Sequence, residues 1–123
     1  MSDRKTALII DPFYIFRKIL VDVIKISKKN VDIFEAQDAG KALDVLKNEH
    51  PDVVFLDIAL PDFNGIDFIT SIKEKIPESQ IVVLTNHDSI EHKQASIKNG
   101  ADYFISKERA SGLRLLNIIN SKL

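Results

Sequence analysis

Apolar and polar positions follow two different periods along the chain. Ala7–Ile10 (ALII), Val53–Leu56 (VVFL) and Ile81–Leu84 (IVVL) are apolar throughout. Four apolar residues in a row without alternation predict a strand buried on both faces, as in a parallel sheet covered by helices. Val31–Ala36 (VDIFEA) alternates in part and predicts an edge strand, and Tyr103–Ile105 predicts a short last one. Between these runs the apolar residues recur at three-and-four spacing. Phe16, Ile19, Leu20 and Val23 stripe a first helix, Ala39, Ala42, Leu43 and Leu46 a second, Ile66, Ile69, Ile72 and Ile76 a third, and Leu113, Leu116 and Ile119 a fifth. The fourth helix offers only Ile90, Ala95 and Ile97, so it is expected to be the least firmly held.

Stop and start signals fit this division. Pro12 suits the first turn of a helix, with Asp11 as its N-cap, and Lys28, Lys29 and Asn30 close that helix. Asp38 caps the second helix and His50-Pro51 ends it. Gly65 opens the third and Pro77 stops it; Asp88 or Ser89 caps the fourth and Asn99-Gly100 ends it. Ser106-Lys107 leads into the fifth. Strands that each precede a helix imply right-handed crossovers and a doubly covered parallel sheet, an α/β fold in one domain over residues 1–123.

Composition narrows the function by exclusion. The chain is 45% hydrophobic and 28% charged with a net charge of -1, so no bulk field draws it to nucleic acid or to an anionic membrane. Lys and Arg are scattered among acids and form no basic face. The absence of cysteine removes disulfide scaffolds, thiolate metal sites and cysteine nucleophiles together. No apolar run reaches membrane-spanning length, and MSDRKT leads into a strand with no signal-type core, so a soluble, cytoplasmic protein is expected. No GxGxxG or GxxxxGK loop provides for a nucleotide. His50, His87 and His92 share no helical spacing and read as surface residues.

The candidate chemistry lies where strands end. Ligands of open parallel sheets sit beyond the carboxyl ends of the strands, where strand order reverses. Asp11, Asp57, Thr85 and Lys107 all fall at such ends. Asp57 follows the most apolar run, and Pro61 and Asn64-Gly65 supply turn chemistry that would present it at a loop mouth. Either Asp could instead serve only to end a strand or begin a turn or helix. Two carboxylates placed together would repel each other without a cation.

On these residues the chain resembles the receiver domain of bacterial two-component response regulators over nearly its whole length. Asp57, Pro61 and Gly65 match the family's acceptor Asp with Pro four and Gly eight residues later; Thr85 and Lys107 match the Thr or Ser after the fourth strand and the Lys after the fifth. The resemblance implies a flavodoxin-like (βα)5 fold with strand order 2-1-3-4-5. It implies phosphorelay signalling in which Asp57 accepts a phosphoryl group from a sensor histidine kinase or phosphotransfer protein. Asp11, Asp57 and the backbone carbonyl of Ala59 would hold Mg2+, Thr85 and Lys107 would bind phosphoryl oxygens, and Phe104 would be an aromatic switch. The output domain or target would meet the fourth helix, fifth strand and fifth helix, a face that also suits a homodimer, with no direct contact to nucleic acid or membrane. The length fits a single-domain regulator or a receiver within a longer protein.

Three positions depart from the family pattern. Pro12 stands where a second acidic residue is usual, Asn86 where a very small residue follows the Thr, and Glu108 where Pro follows the Lys. Pro12 implies weak magnesium binding. With Asn86 it supports an alternative, a receiver-like interaction module that works without phosphorylation. A haloacid-type phosphatase, the enzymatic alternative, needs a second Asp at the position of Ala59.

Overall fold

The wholly apolar runs become the three central strands. The computed structural model describes residues 4–28, 30–108 and 112–123; Lys29, expected to help close the first helix, lies outside them. In chain order the elements are β1 (Lys5–Ile10), α1 (Tyr14–Ser27), β2 (Val31–Ala36), α2 (Ala39–Leu46), β3 (Val53–Leu56), α3 (Gly65–Lys75), β4 (Gln80–Thr85), α4 (Ile90–Lys98), β5 (Tyr103–Ser106) and α5 (Gly112–Lys122). Every strand pair is parallel and the order is β2-β1-β3-β4-β5, the doubly wound flavodoxin-like arrangement expected. Order reverses between β1 and β3, so Asp11 and Asp57 leave the sheet side by side at the switch point.

Alternate residues of each strand feed opposite cores. Leu8, Ile10, Val54 and Leu56 pack with α2 and α3 on one face; Ala7, Ile9, Val53 and Phe55 pack with α1 and α5 on the other. No helix among the described residues is long and apolar enough to cross a membrane.

Several helix expectations are corrected. Pro12 precedes α1 instead of forming its first turn, and Phe13 occupies the cap position without a side-chain cap bond. Asp11 is not the N-cap; its Oδ1 accepts the Phe13 N–H at 2.8 Å in an Asx turn. Ile19 is 54% exposed, and Leu20 with Ile24 carries the buried stripe, because α1 holds more apolar residues than one face on the sheet can cover. Leu43 and Leu113 lie outward for the same reason, leaving Ile118 and Ile119 as the buried residues of α5. In α3, Phe68 joins Ile69 and Ile72 in the core. In α4 the expected stripe faces away from the sheet: Ile90 is 70% exposed, Ile97 is exposed, and Ser96 is the buried residue. Asp38, Asn64 and Ser89 are side-chain N-caps.

Candidate functional site

Backbone ladders fix the site before any side chain contributes. The Asp11 N–H donates to Ala36 O, Asp57 N–H to Ile10 O and Lys107 N–H to Thr85 O, each at 2.9 Å. Sheet pairing therefore runs one residue past the strands and sets these residues in register. The side chains then converge. Asp57 Oδ1 accepts the Thr85 hydroxyl at 2.8 Å and the Ala59 N–H at 2.9 Å, while Asp57 Oδ2 receives the Lys107 ammonium at 2.9 Å. The same Nζ lies 2.7 Å from Asp11 Oδ2.

Asp57 is not presented openly at a loop mouth. It is 3% exposed, because Thr85 and Lys107 close over it, and Asp11 is equally buried. Burial pushes the Asp11 carboxyl above its usual value, although the Lys107 ammonium and the Phe13 N–H pull it down. Phe104 is buried in the core on the α2 and α3 face, opposite Val83 in the β4–β5 register. Asn86 and Glu108 are exposed, and Ala59 is half-buried beside Asp57.

Four further residues support the site. Arg17 Nη1 donates to the Asp11 backbone carbonyl at 2.7 Å. Asp62, in the loop after Asp57, accepts the Ala39 and Gly40 N–H groups at 2.9 Å each, so one carboxylate ties that loop to the N-terminus of α2. Two helix-end N–H groups hold the Asp62 carboxyl below its usual value. Phe13 and Phe16 lie beside Lys107. Phe16 was readable in the sequence as part of the first helix's apolar stripe, which gave no sign of these contacts. The rings of His87 and His92 meet edge to face at 5.7 Å, an approach made by the turn before α4 that no helical spacing announces.

The oxygen donors suit a hard dication in kind. Two buried carboxylates face one ammonium, which leaves net negative charge, and the Ala59 N–H rests on one of them. In number the donors are fewer: Pro12 adds none, and among the described residues no group of three or more His, Cys, Asp or Glu stands together as a metal site.

A parallel α/β sheet with paired acids at its switch point and a hydroxyl and an ammonium on the neighbouring exits defines a signalling receiver. The response regulator receiver domain model matches residues 7–120, and the chain belongs to that family. It is 33% identical over 106 residues to the photosynthetic apparatus regulatory protein RegA of Rhodobacter capsulatus, covering 86% of this chain and 56% of that protein. It spans 27% and 17% of two other curated relatives it matches. Among solved structures, a CheY-like response regulator receiver domain protein from Methanospirillum hungatei superposes with a TM-score of 0.87 at 25% identity, covering 98% of this chain and 94% of that one. The beryllofluoride-activated NtrC4 receiver domain dimer superposes at 0.84 with 28% identity, covering 95% and 94%. Receivers are signalling modules of two-component phosphorelays, as a rule not enzymes, and they generally bind Mg2+ at the acidic pocket.

Proposed function

We propose that Asp57 accepts a phosphoryl group from a sensor histidine kinase or phosphotransfer protein and that the modification redirects a partner-binding face. One observation carries this reading: a single buried carboxylate receives a hydroxyl from Thr85 and an ammonium from Lys107, each from a different strand exit. An Asp57 oxygen attacks phosphorus, the P–N bond of phosphohistidine breaks, and the imidazole leaves with the electron pair. Lys107 and Thr85 already hold the charge and hydroxyl that the phosphoryl oxygens need, so little has to reorganise. Asp11, Asp57 and the Ala59 carbonyl are the groups that would hold Mg2+, which offsets charge on the transferring oxygens when bound. With Pro12 in place of an acid, binding is weak.

The output face is α4, β5 and α5, where a target, an output domain or a second copy would meet exposed Ile90 and Ile97. Thr85 drawn toward a phosphoryl group pulls the segment leading to α4, and Phe104 beneath it repacks. A module that works without phosphorylation is the second reading, favoured by Pro12, by Asn86 beside Thr85 and by a Lys107 that already pairs with both acids. One experiment separates them. Incubation with acetyl phosphate and magnesium is expected to add one phosphoryl mass to the native chain and none to Asp57→Asn. A native chain that gains no mass from this donor or from a kinase supports the module, and label on Asp57→Asn overturns the acceptor assignment.

A further inference from the structure

Lys107 has more around it than two carboxylates. Its Nζ lies 4.3 Å from the centroid of the Phe16 ring and 5.0 Å from that of Phe13. Both distances fall within the range over which the negative face of a ring attracts a cation. The Lys107 side chain is 7% exposed, so bulk water screens these attractions little. We propose that Phe13 and Phe16 are positioning residues that hold Lys107 between Asp11 and Asp57 as the pocket's resident cation, so that a divalent cation must displace the ammonium to enter.

The turn after β1 accounts for the arrangement. Pro12 fixes its own φ, and the next N–H, from Phe13, closes onto Asp11 Oδ1. The same turn that withholds a second carboxylate therefore delivers a ring beside the ammonium. Phe16 follows at three-residue spacing, on the same side of the chain, and packs against the core beneath α1 and α5. Its ring is thus fixed by apolar neighbours and does not depend on Lys107 for its place. A dication would draw on the carboxylate oxygens that Lys107 now occupies, and the two like charges would oppose each other. Every contact that steadies the ammonium raises the concentration of dication needed to replace it.

This inference rests on the reading of Lys107 as the charge partner of an acceptor Asp57. Its test uses magnesium alone, with no phosphoryl donor, so its failure is separate from a failure of Asp57 to be phosphorylated. Magnesium is titrated into the native chain, Phe13→Leu and Phe16→Leu while the amide resonances of Asp11, Asp57 and Ala59 are followed by NMR. The Lys107 Cε proton shifts are recorded without metal. Loss of one ring is expected to tighten magnesium roughly three- to tenfold, and the Lys107 protons, shielded by ring currents in the native chain, should move toward the values of a free lysine. Phe13 is 59% exposed, so Phe13→Leu leaves the core intact and decides the matter even where Phe16→Leu does not fold. Magnesium affinity unchanged or weakened in Phe13→Leu, or Lys107 protons unshielded in the native chain, overturns the proposal.

Discussion

α3 and α4 leave neighbouring strands at the same end of the sheet, and each is capped by a side chain, yet they are held by different means. Asn64 accepts the Ile66 and Asp67 N–H groups of α3, and Ser89 accepts the His92 N–H of α4. Beyond the cap, α3 buries Phe68, Ile69 and Ile72, whereas α4 buries Ser96, whose Oγ finds no hydrogen-bond partner among the described residues. A fully buried large apolar side chain is worth about 1.5–3 kcal/mol, and a buried unpaired hydroxyl costs about 1–3 kcal/mol. Capping forms both helices; burial fixes only α3. The loop before α3 is tied down as well, by Asp62 on α2 and by Phe63 against the Phe68 ring at 5.9 Å. A disturbance at Asp57 therefore meets a rigid wall on one side and a lightly held helix on the other.

Substitution in the two helices gives the largest test of this contrast. Ile69→Ala is expected to lower unfolding stability by about 2–5 kcal/mol, and Ile97→Ala to change it by less than about 0.5 kcal/mol, measured by urea denaturation. Equal costs would erase the distinction.

The next effect has the opposite sign. Ser96→Ala removes the unpaired hydroxyl and is expected to stabilise the fold by about 1 kcal/mol, slowing amide exchange in α4 and not in α3. If stability falls instead, Ser96 has a role that the burial argument misses.

The smallest effect concerns the wall. Asp62 has a depressed carboxyl pKa because it accepts the Ala39 and Gly40 N–H groups. The stability it adds is present above its ordinary value of 3.8 and is lost as pH falls through the lower value of the folded state. Asp11 works in the reverse sense, since burial raises its value and protonation relieves the cost of a buried charge. The difference between native chain and Asp62→Asn isolates Asp62: it should be present at neutral pH and shrink on acidification below about pH 4. A difference that does not vary with pH would mean that Asp62 acts by packing alone.

What was legible in the sequence follows the same division. ALII, VVFL and IVVL were readable because a strand buried on both faces has no polar side to confuse the pattern. Asp11, Asp57, Thr85 and Lys107 were readable because topology alone brings strand exits together. Helix faces were less so. Ile19, Leu113 and Ile97 are apolar yet lie outward, and Ser96 is polar yet buried, since crowding on the sheet decides which face turns in. The grip of Asp62 on α2 and the rings beside Lys107 join segments far apart in the chain, so no local spacing encodes them.

Gly65 carries a consequence for how the chain can vary in length. A Cβ at that position would lie 2.1 Å from the backbone oxygen of Ile58, so the segment leaving Asp57 returns to touch its own beginning, main chain on main chain. A loop closed in this way has a fixed number of links. One added residue between Ile58 and Gly65 would part the two backbones and carry the α3 N-terminus away from the acid. The segment 86–88 is exposed throughout, and its His87 N–H rests on the Thr85 hydroxyl, a side-chain contact that an added residue can loosen without parting two main chains.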